Sequence, residues 1–316
     1  MGDKEYQDTG EAVHQKKKME IGIFAGAFSE FEREVELLRS GDAHQIELDS
    51  LFLLNKNDKE IERYRWELYR RNISIYSVHA PFGEGNDLAS PEEKEKNSAI
   101  SIHRRVMEKM EIMEIGCLVI HPGSRVEKER DIPVREIILR RSIERLLKEA
   151  ESLKIKLALE NMLPLHPGYQ TRSLNEIVDE FSSSFLGVCF DTGHANIGGG
   201  VEEEFIRIQE AVISFHLHDN DGTRDLHLQP PYGNIDWKKF FNMVRNSSYN
   251  GPLILEAFPW QGREVGWMKR EVEMLRDDKI LKKSSPVHHL LRCTVCGHFL
   301  YGVEEHPICY CGKNTL

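Results

Sequence analysis

Long apolar runs are missing from this sequence: no stretch approaches the roughly 18 residues that a membrane-spanning helix needs. The opening residues, MGDKEYQDTGEAVHQKKK, are polar and lack the apolar centre of a signal peptide. Gly2 stands without the Ser or Thr that a myristoylation motif requires. A membrane partner is therefore not expected. Positive charge is also in short supply, with 42 Lys+Arg against 52 Asp+Glu and a net charge of -10. That balance is a poor footprint for a phosphate backbone, although it leaves room for a local basic groove. Cysteine is scarce, at six in 316 residues. Cys117 and Cys189 lie inside the apolar runs CLVI and GVCF and read as packed, reduced core residues. With no disulfide framework in view, a cytoplasmic location is expected. Finally, no candidate strand is followed by a glycine-rich phosphate fingerprint, which counts against a doubly wound nucleotide-binding sheet.

What the chain does contain is a repeat. From Met19 onward, short β-rich runs alternate with longer amphipathic segments. The runs are EIGIFAG, QIELDS, ISIYSVHA, CLVIHPG, IKLALEN, LGVCFDTGH, ISFHLHD and PLILEAF. Most are nearly continuous in apolar character, as strands covered on both faces should be. Helix starts are legible too: Ser90-Pro91-Glu92-Glu93 places proline and acids at a helix N-terminus. Eight β/α repeats over this length predict an α/β fold, a (β/α)8 TIM barrel spanning 19–278. A disordered lead-in at 1–18, a polar linker at 279–290 and a small cysteine-rich knuckle at 291–316 complete the expected organisation.

The ends of the predicted strands carry the chemistry. The third ends on His79, the fourth on His121 and the fifth on Glu160. The sixth ends on Asp191 followed by His194, the seventh on His216 and His218, and the eighth on Glu256. The loop HLHDNDGTRDLH adds Asp225 and His227. A barrel gathers all its C-terminal strand ends on one face, so these groups converge despite their separation in sequence. A single histidine at a strand end is ordinarily a hydrogen-bonded structural residue, and His14, His103, His166, His288 and His289 are read that way. Recurrence in phase with the strands instead indicates a metal centre. Glu160 and Glu256 follow apolar strands, and a desolvated carboxylate requires a counter-charge, which a divalent ion would provide. Nitrogen and oxygen donors without thiolate suit Zn, Mn or Co, in one to three sites.

These motifs, VHAPF, HPGS, LEN, DTGH, HLHD, DLH, GNIDW and LEAF, resemble in order those of the xylose isomerase-like TIM-barrel superfamily, over roughly Met19 to Arg276. The superfamily includes sugar-phosphate isomerases and epimerases and the endonuclease IV type of abasic-site nuclease. The resemblance implies a core ion held by Glu160, Asp191, His216 and Glu256. Its nuclease branch implies two more ions, one at His79 and His121 with Glu160 bridging, the other at His194, Asp225 and His227.

Two activities follow. The preferred one is isomerisation or epimerisation of a sugar or sugar phosphate, with Glu160 and Glu256 as the proton-transferring pair and His194, His218 and Arg224 as substrate contacts. The alternative is phosphodiester cleavage at abasic sites in nucleic acid. It fits the full set of ligands but not the acidic and apolar loops DSLFLLN and FGEGNDLASPEEKEK, because DNA needs basic residues at the mouth. A barrel that has lost catalysis and binds a partner is a third reading, disfavoured because the mouth residues look intact. A homo-oligomer is compatible with the sequence and not fixed by it.

In the tail, Cys293, Cys296, Cys309 and Cys311 have the spacing of a zinc-ribbon or rubredoxin-like site of four thiolates, expected to hold a structural Zn (or Fe). The Cys309-Tyr310-Cys311 pair is one residue short of the usual Cys-x-x-Cys, so His298 or His306 is an alternative ligand.

Overall fold

The computed structural model describes residues 19–83, 85–257 and 265–279, together with the backbone of two short strands, Leu291–Arg292 and Phe299–Leu300, which pair antiparallel. The lead-in, the linker and all four tail cysteines lie outside the described residues.

Eight strands form in the places the apolar runs predict. They are β1 Ile21–Gly26, β2 Gln45–Asp49, β3 Ser74–His79, β4 Cys117–Ile120, β5 Lys156–Glu160, β6 Leu186–Asp191, β7 Val212–Leu217 and β8 Leu253–Leu255. They close in sequence order into one parallel barrel, with Ile21 of β1 beside Leu253 of β8. Every strand backbone is thus paired on both edges, leaving no open edge to cap.

Ten helices, rather than one per strand, are described: α1 Phe31–Ser40, α2 Ser50–Leu54, α3 Asp58–Arg70, α4 Glu93–Met113, α5 Ile132–Leu153, α6 Thr171–Phe181, α7 Thr192–Gly198, α8 Val201–Ile208, α9 Trp237–Asn246 and α10 Val265–Arg276. The extra pair, α2 and α7, start directly where β2 and β6 end, and each is capped by the last strand residue. Asp49 accepts from the Leu51 amide and Asp191 from the His194 amide. In α3 the start is fixed by a capping box between Asn57 and Glu60.

The strand period of two divides the core into separate regions. Residues facing the helices join one continuous apolar layer, in which Phe190, Phe205, Phe215 and Phe240 meet at centroid distances of 5.2–6.5 Å. Truncating one such ring to alanine costs about 3–5 kcal/mol in a close-packed site. Inside the barrel a smaller cluster of Cys117, Val119, Ala158 and Cys189 forms the apolar filling. Both cysteines are unpaired and buried, and burial pushes the Cys117 thiol up to about 12, so both are packing residues rather than nucleophiles. Above this filling, polar side chains crowd the C-terminal end of the barrel.

Candidate metal centre

The crowding starts at Glu160, the last residue of β5, which is 2% exposed and turned into the barrel. Its Oε2 lies 3.4 Å from Nε2 of His79 and 3.2 Å from Nε2 of His121. Its Oε1 lies 3.3 Å from Nδ1 of His194 and 3.7 Å from Nδ1 of His216. Three carboxylates then converge on that same His216 nitrogen, because Asp191 Oδ2 stands 3.9 Å away and Glu256 Oε2 3.2 Å. Glu160 Oε2 and His216 Nδ1 are both buried, and neither makes a hydrogen bond. Buried polar atoms normally find partners, and an orphaned oxygen and nitrogen aimed at one another's neighbourhood fit a cation between them. All donors are nitrogen or oxygen, the set that divalent Zn, Mn or Co accepts.

The imidazoles are held in the tautomer that metal ligation uses. Nδ1 of His79, His194 and His227 each lies 2.9 Å from a backbone carbonyl, those of Ala80, Asn161 and Glu256 respectively. Donating the Nδ1 proton there leaves Nε2 as a lone pair facing the site. His216 is the reverse. Its Nε2 sits 2.9 Å from Oε1 of Glu47, a fully buried carboxylate on β2 that also accepts from Ser77 Oγ at 2.6 Å. That leaves the Nδ1 of His216 for the centre. Neither Glu47 nor Asn161 was singled out by sequence reasoning. Asn161 donates to the Asp191 carbonyl at 3.0 Å and accepts from its amide at 2.7 Å, which fixes where the Asp191 carboxylate emerges.

His194 is not at a strand end but in the first turn of α7, because Asp191 both ends β6 and caps that helix, accepting from the His194 amide at 2.7 Å. His194 Nε2 reaches Asp225 Oδ2 at 3.6 Å, and His227 Nε2 reaches the same oxygen at 3.2 Å. His227 has a left-handed backbone, φ +45°, uncommon for histidine, and it turns the ring back over the barrel. The loop that presents Asp225 and His227 is anchored by Asp219, whose carboxylate accepts from Trp237 Nε1 at 2.7 Å and from the Ile235 amide at 3.2 Å. The motifs HLHD and GNIDW are therefore two halves of one structural lock.

Among the described residues, five groups of side chains could each bring ligand atoms within 4.8 Å of one another: His79 with His121 and Glu160; His79 with His216 and Glu256; Glu160 with Asp191 and His194; Asp191 with His218 and Glu256; and His194 with His218, Asp225 and His227. These carboxylates and imidazoles also shift each other's titration. Burial lowers His79, but Glu160 outweighs it and brings His79 up to about 9. Burial is likewise outweighed at His227, where Asp225 and Glu256 bring the ring to about 9. Glu160 is held well below the usual carboxylate range, burial opposing and His121 and His216 prevailing.

A cavity of 340 Å³ opens above Glu160, His79, His194 and Glu256. One wall is Phe82, stacked on His121 at 4.6 Å; others are Ser124 with Arg125, and Met162 with Leu163 and His166. Two expected substrate contacts are not on these walls. Arg224 is turned to Asp221, its Nη2 donating at 2.6 Å, because the Asp221 carboxylate also caps the turn through the Thr223 and Arg224 amides. His218 is fully buried beneath the cavity, against Asp191. Arg125 is instead the one Lys or Arg among the described residues lining the cavity. His166, read as an ordinary histidine, also reaches the wall, its Nδ1 3.1 Å from the Leu163 carbonyl.

A family model described as xylose isomerase-like TIM barrel matches residues 35–278. An uncharacterized protein of Methanocaldococcus jannaschii is 32% identical over 201 residues, which is 61% of this chain and 68% of that protein. A probable endonuclease 4 of Ureaplasma parvum is 28% identical over 250 residues, 70% of this chain and 78% of the relative. Among solved structures, a D-tagatose 3-epimerase-like protein superposes with a TM-score of 0.73 at 25% identity, over 83% of this chain and 98% of that one.

Proposed function

The chain belongs to the xylose isomerase-like TIM-barrel family, and on that footing we propose that it is a divalent-metal-dependent isomerase or epimerase of a sugar or sugar phosphate. The observation that carries this reading is the convergence of Glu160, Asp191 and Glu256 on the orphaned Nδ1 of His216 at the floor of a small cavity. Glu160, Asp191, His216 and Glu256 would hold the core ion. When bound, it would polarise a substrate carbonyl and stabilise the ene-diolate that forms beside it.

The protein's own groups do the rest. One of the two glutamates, Glu160 or Glu256, takes the proton from the carbon next to the carbonyl, and the other returns one to the opposite face or to the neighbouring carbon. Phe82, Met162 and Leu163 give the cavity apolar walls beside the reacting carbons. Arg125 replaces Arg224 as the cation positioned to meet a phosphate or carboxylate on the substrate.

Phosphodiester hydrolysis is the second reading, favoured by the relative named as an endonuclease and by the complete outer sets His79–His121–Glu160 and His194–Asp225–His227. Against it stand the net charge of -10 and a described cavity wall with a single cation, since a DNA backbone is held by many. The two are separated by incubating metal-loaded protein with a panel of ketoses and ketose phosphates in D2O, and in parallel with an abasic-site duplex. Solvent deuterium should enter the sugar carbon, and Glu256→Gln should lower that exchange by a factor of about 10²–10⁴. Incision of the duplex with no exchange on any sugar would reverse the assignment.

A further inference from the structure

We infer that His218 is a positioning residue that donates its Nε2 proton to Asp191, and is not a ligand in the His194–Asp225–His227 set beside it. The inference rests on the metal-centre reading above and decides which neighbouring imidazoles ligate.

Distance alone leaves His218 ambiguous. The ring is within ligand reach of His194, Asp225 and His227 and also of Asp191 and Glu256, and its Nε2 is 3.0 Å from Oδ1 and 3.1 Å from Oδ2 of Asp191. The other ring nitrogen resolves the matter. His79, His194 and His227 each have a backbone carbonyl to receive the Nδ1 proton, which leaves Nε2 free to bind a cation. His218 has none: its Nδ1 is buried and without a hydrogen-bond partner, and it faces Gly193, where a Cβ would stand 2.3 Å from it, whereas the orphaned Nδ1 of His216 faces three carboxylates. A ligating Nε2 would force the proton onto Nδ1, where no acceptor waits. With the proton on Nε2, the ring instead gives a charge-assisted hydrogen bond to a buried carboxylate, and only an acceptor nitrogen is left unpaired.

The ring also has no freedom to turn over. It lies parallel to His227, with centroids 4.0 Å apart and planes 12° from parallel, and edge-on to His194 at 5.7 Å. On its remaining side is Gly193, where a Cβ would stand 1.9 Å from Cε1 of His218. The glycine of DTGH and the second histidine of HLHD thus require each other. Asp191 Oδ1 also takes the His194 amide at 2.7 Å, so the carboxylate is held from two sides with Oδ2 toward His216. His218 acts on the core through Asp191, and the outer set keeps three ligand side chains.

The test uses full-length protein loaded with Zn2+, measuring zinc per chain and, by chelator competition, the affinity of the tightest site that Cys293→Ser does not remove. His218→Phe keeps the stacked ring and removes the donor; His218→Gln keeps an N–H near the Nε2 position. Zinc per chain should equal wild type in both. The tightest site should weaken about 10–100-fold in the phenylalanine variant and recover in the glutamine variant. Imidazole ¹⁵N spectra of the wild-type zinc-loaded protein should show His218 protonated on Nε2. Loss of one ion per chain in either variant, a His218 with metal on Nε2, or unchanged affinity in the phenylalanine variant would overturn the inference while leaving the metal centre standing. If His218→Phe does not fold, the ion count of His218→Gln and the ¹⁵N tautomer decide. A wild-type chain that takes up no zinc beyond the ion lost in Cys293→Ser overturns the metal centre itself, and this inference with it.

Discussion

Among the side chains around His216, Glu47 is the one whose role its sequence setting hides. It sits in mid-strand between Ile46 and Leu48, both fully buried, away from the strand ends where the ligand-type residues recur. Only the period of two, applied to β2, shows that Glu47 faces the barrel interior while its neighbours face the helices. There its carboxylate orients His216 and makes the opposite nitrogen a better donor. Glu47→Gln removes that charge and keeps the shape. The variant should fold with unchanged secondary structure and bind Zn2+ or Mn2+ about 10–100-fold more weakly, read by chelator competition. Equal affinity would mean that Glu47 only fills space. By contrast, the convergence of Glu160, Asp191, His216 and Glu256 is legible in the sequence, because each stands in or next to a run whose strand character is plain. Arg224 misled for a local reason: nothing in DNDGTRD says that Asp221 turns back to bind the arginine three residues on.

At the level of elements, the eight strands were readable because a parallel sheet buries both faces, so each strand is a short apolar block between polar segments. The helices α2 and α7 were not. Five and seven residues long, they are too short to show a 3.6-residue period, and their starts depend on aspartates that serve a strand end as well. The loop from Asp219 to Trp237 is legible in the sequence only as a pair of motifs, because its function as a lock depends on contacts 16 and 18 residues apart. Trp237 Nε1 donates to Asp219 Oδ2, and the same carboxylate holds the Asn220 and Ile235 amides. Trp237→Phe keeps the apolar bulk and deletes that donor beside a largely buried carboxylate, a loss of about 1–3 kcal/mol. Urea unfolding should show the destabilisation. Zinc bound near Asp225 and His227 should weaken with it, because this loop presents both. A variant as stable as wild type would show that the loop is held elsewhere.

For the whole molecule, the barrel's ability to stand apart from its cysteine segment remains a sequence expectation, and it has a direct check. Cys293→Ser should lower zinc per chain by one and leave the main unfolding transition in place; a shifted transition would put the segment inside the barrel's folding unit. The barrel's own stability should carry a pH signature with two limbs of different origin. His103, buried in α4 against the Ala99 carbonyl, is pushed down to about 4 by desolvation. Its pKa when unfolded is about 6.5, so between these values the unfolded chain takes a proton that the folded chain refuses. Stability therefore falls as pH drops through that window, by about 3 kcal/mol over the full range. His79 and His227, both raised to about 9 beside carboxylates, act in the opposite sense. In metal-free protein they add stability that is complete below about 6.5 and is lost as pH rises toward 9. A bound divalent ion takes the place of those protons and grips the neutral imidazoles, so it should abolish the alkaline limb and steepen the acid one, because the unfolded histidines then take protons that the metal-bound fold refuses. Unfolding midpoints at pH 5, 6.5 and 8.5, with and without chelator, should show the metal's contribution growing with pH. His103→Gln should flatten the acid side only. A metal effect equal at all three values would mean that the ion does not displace protons from these histidines, and that it binds somewhere other than this cluster.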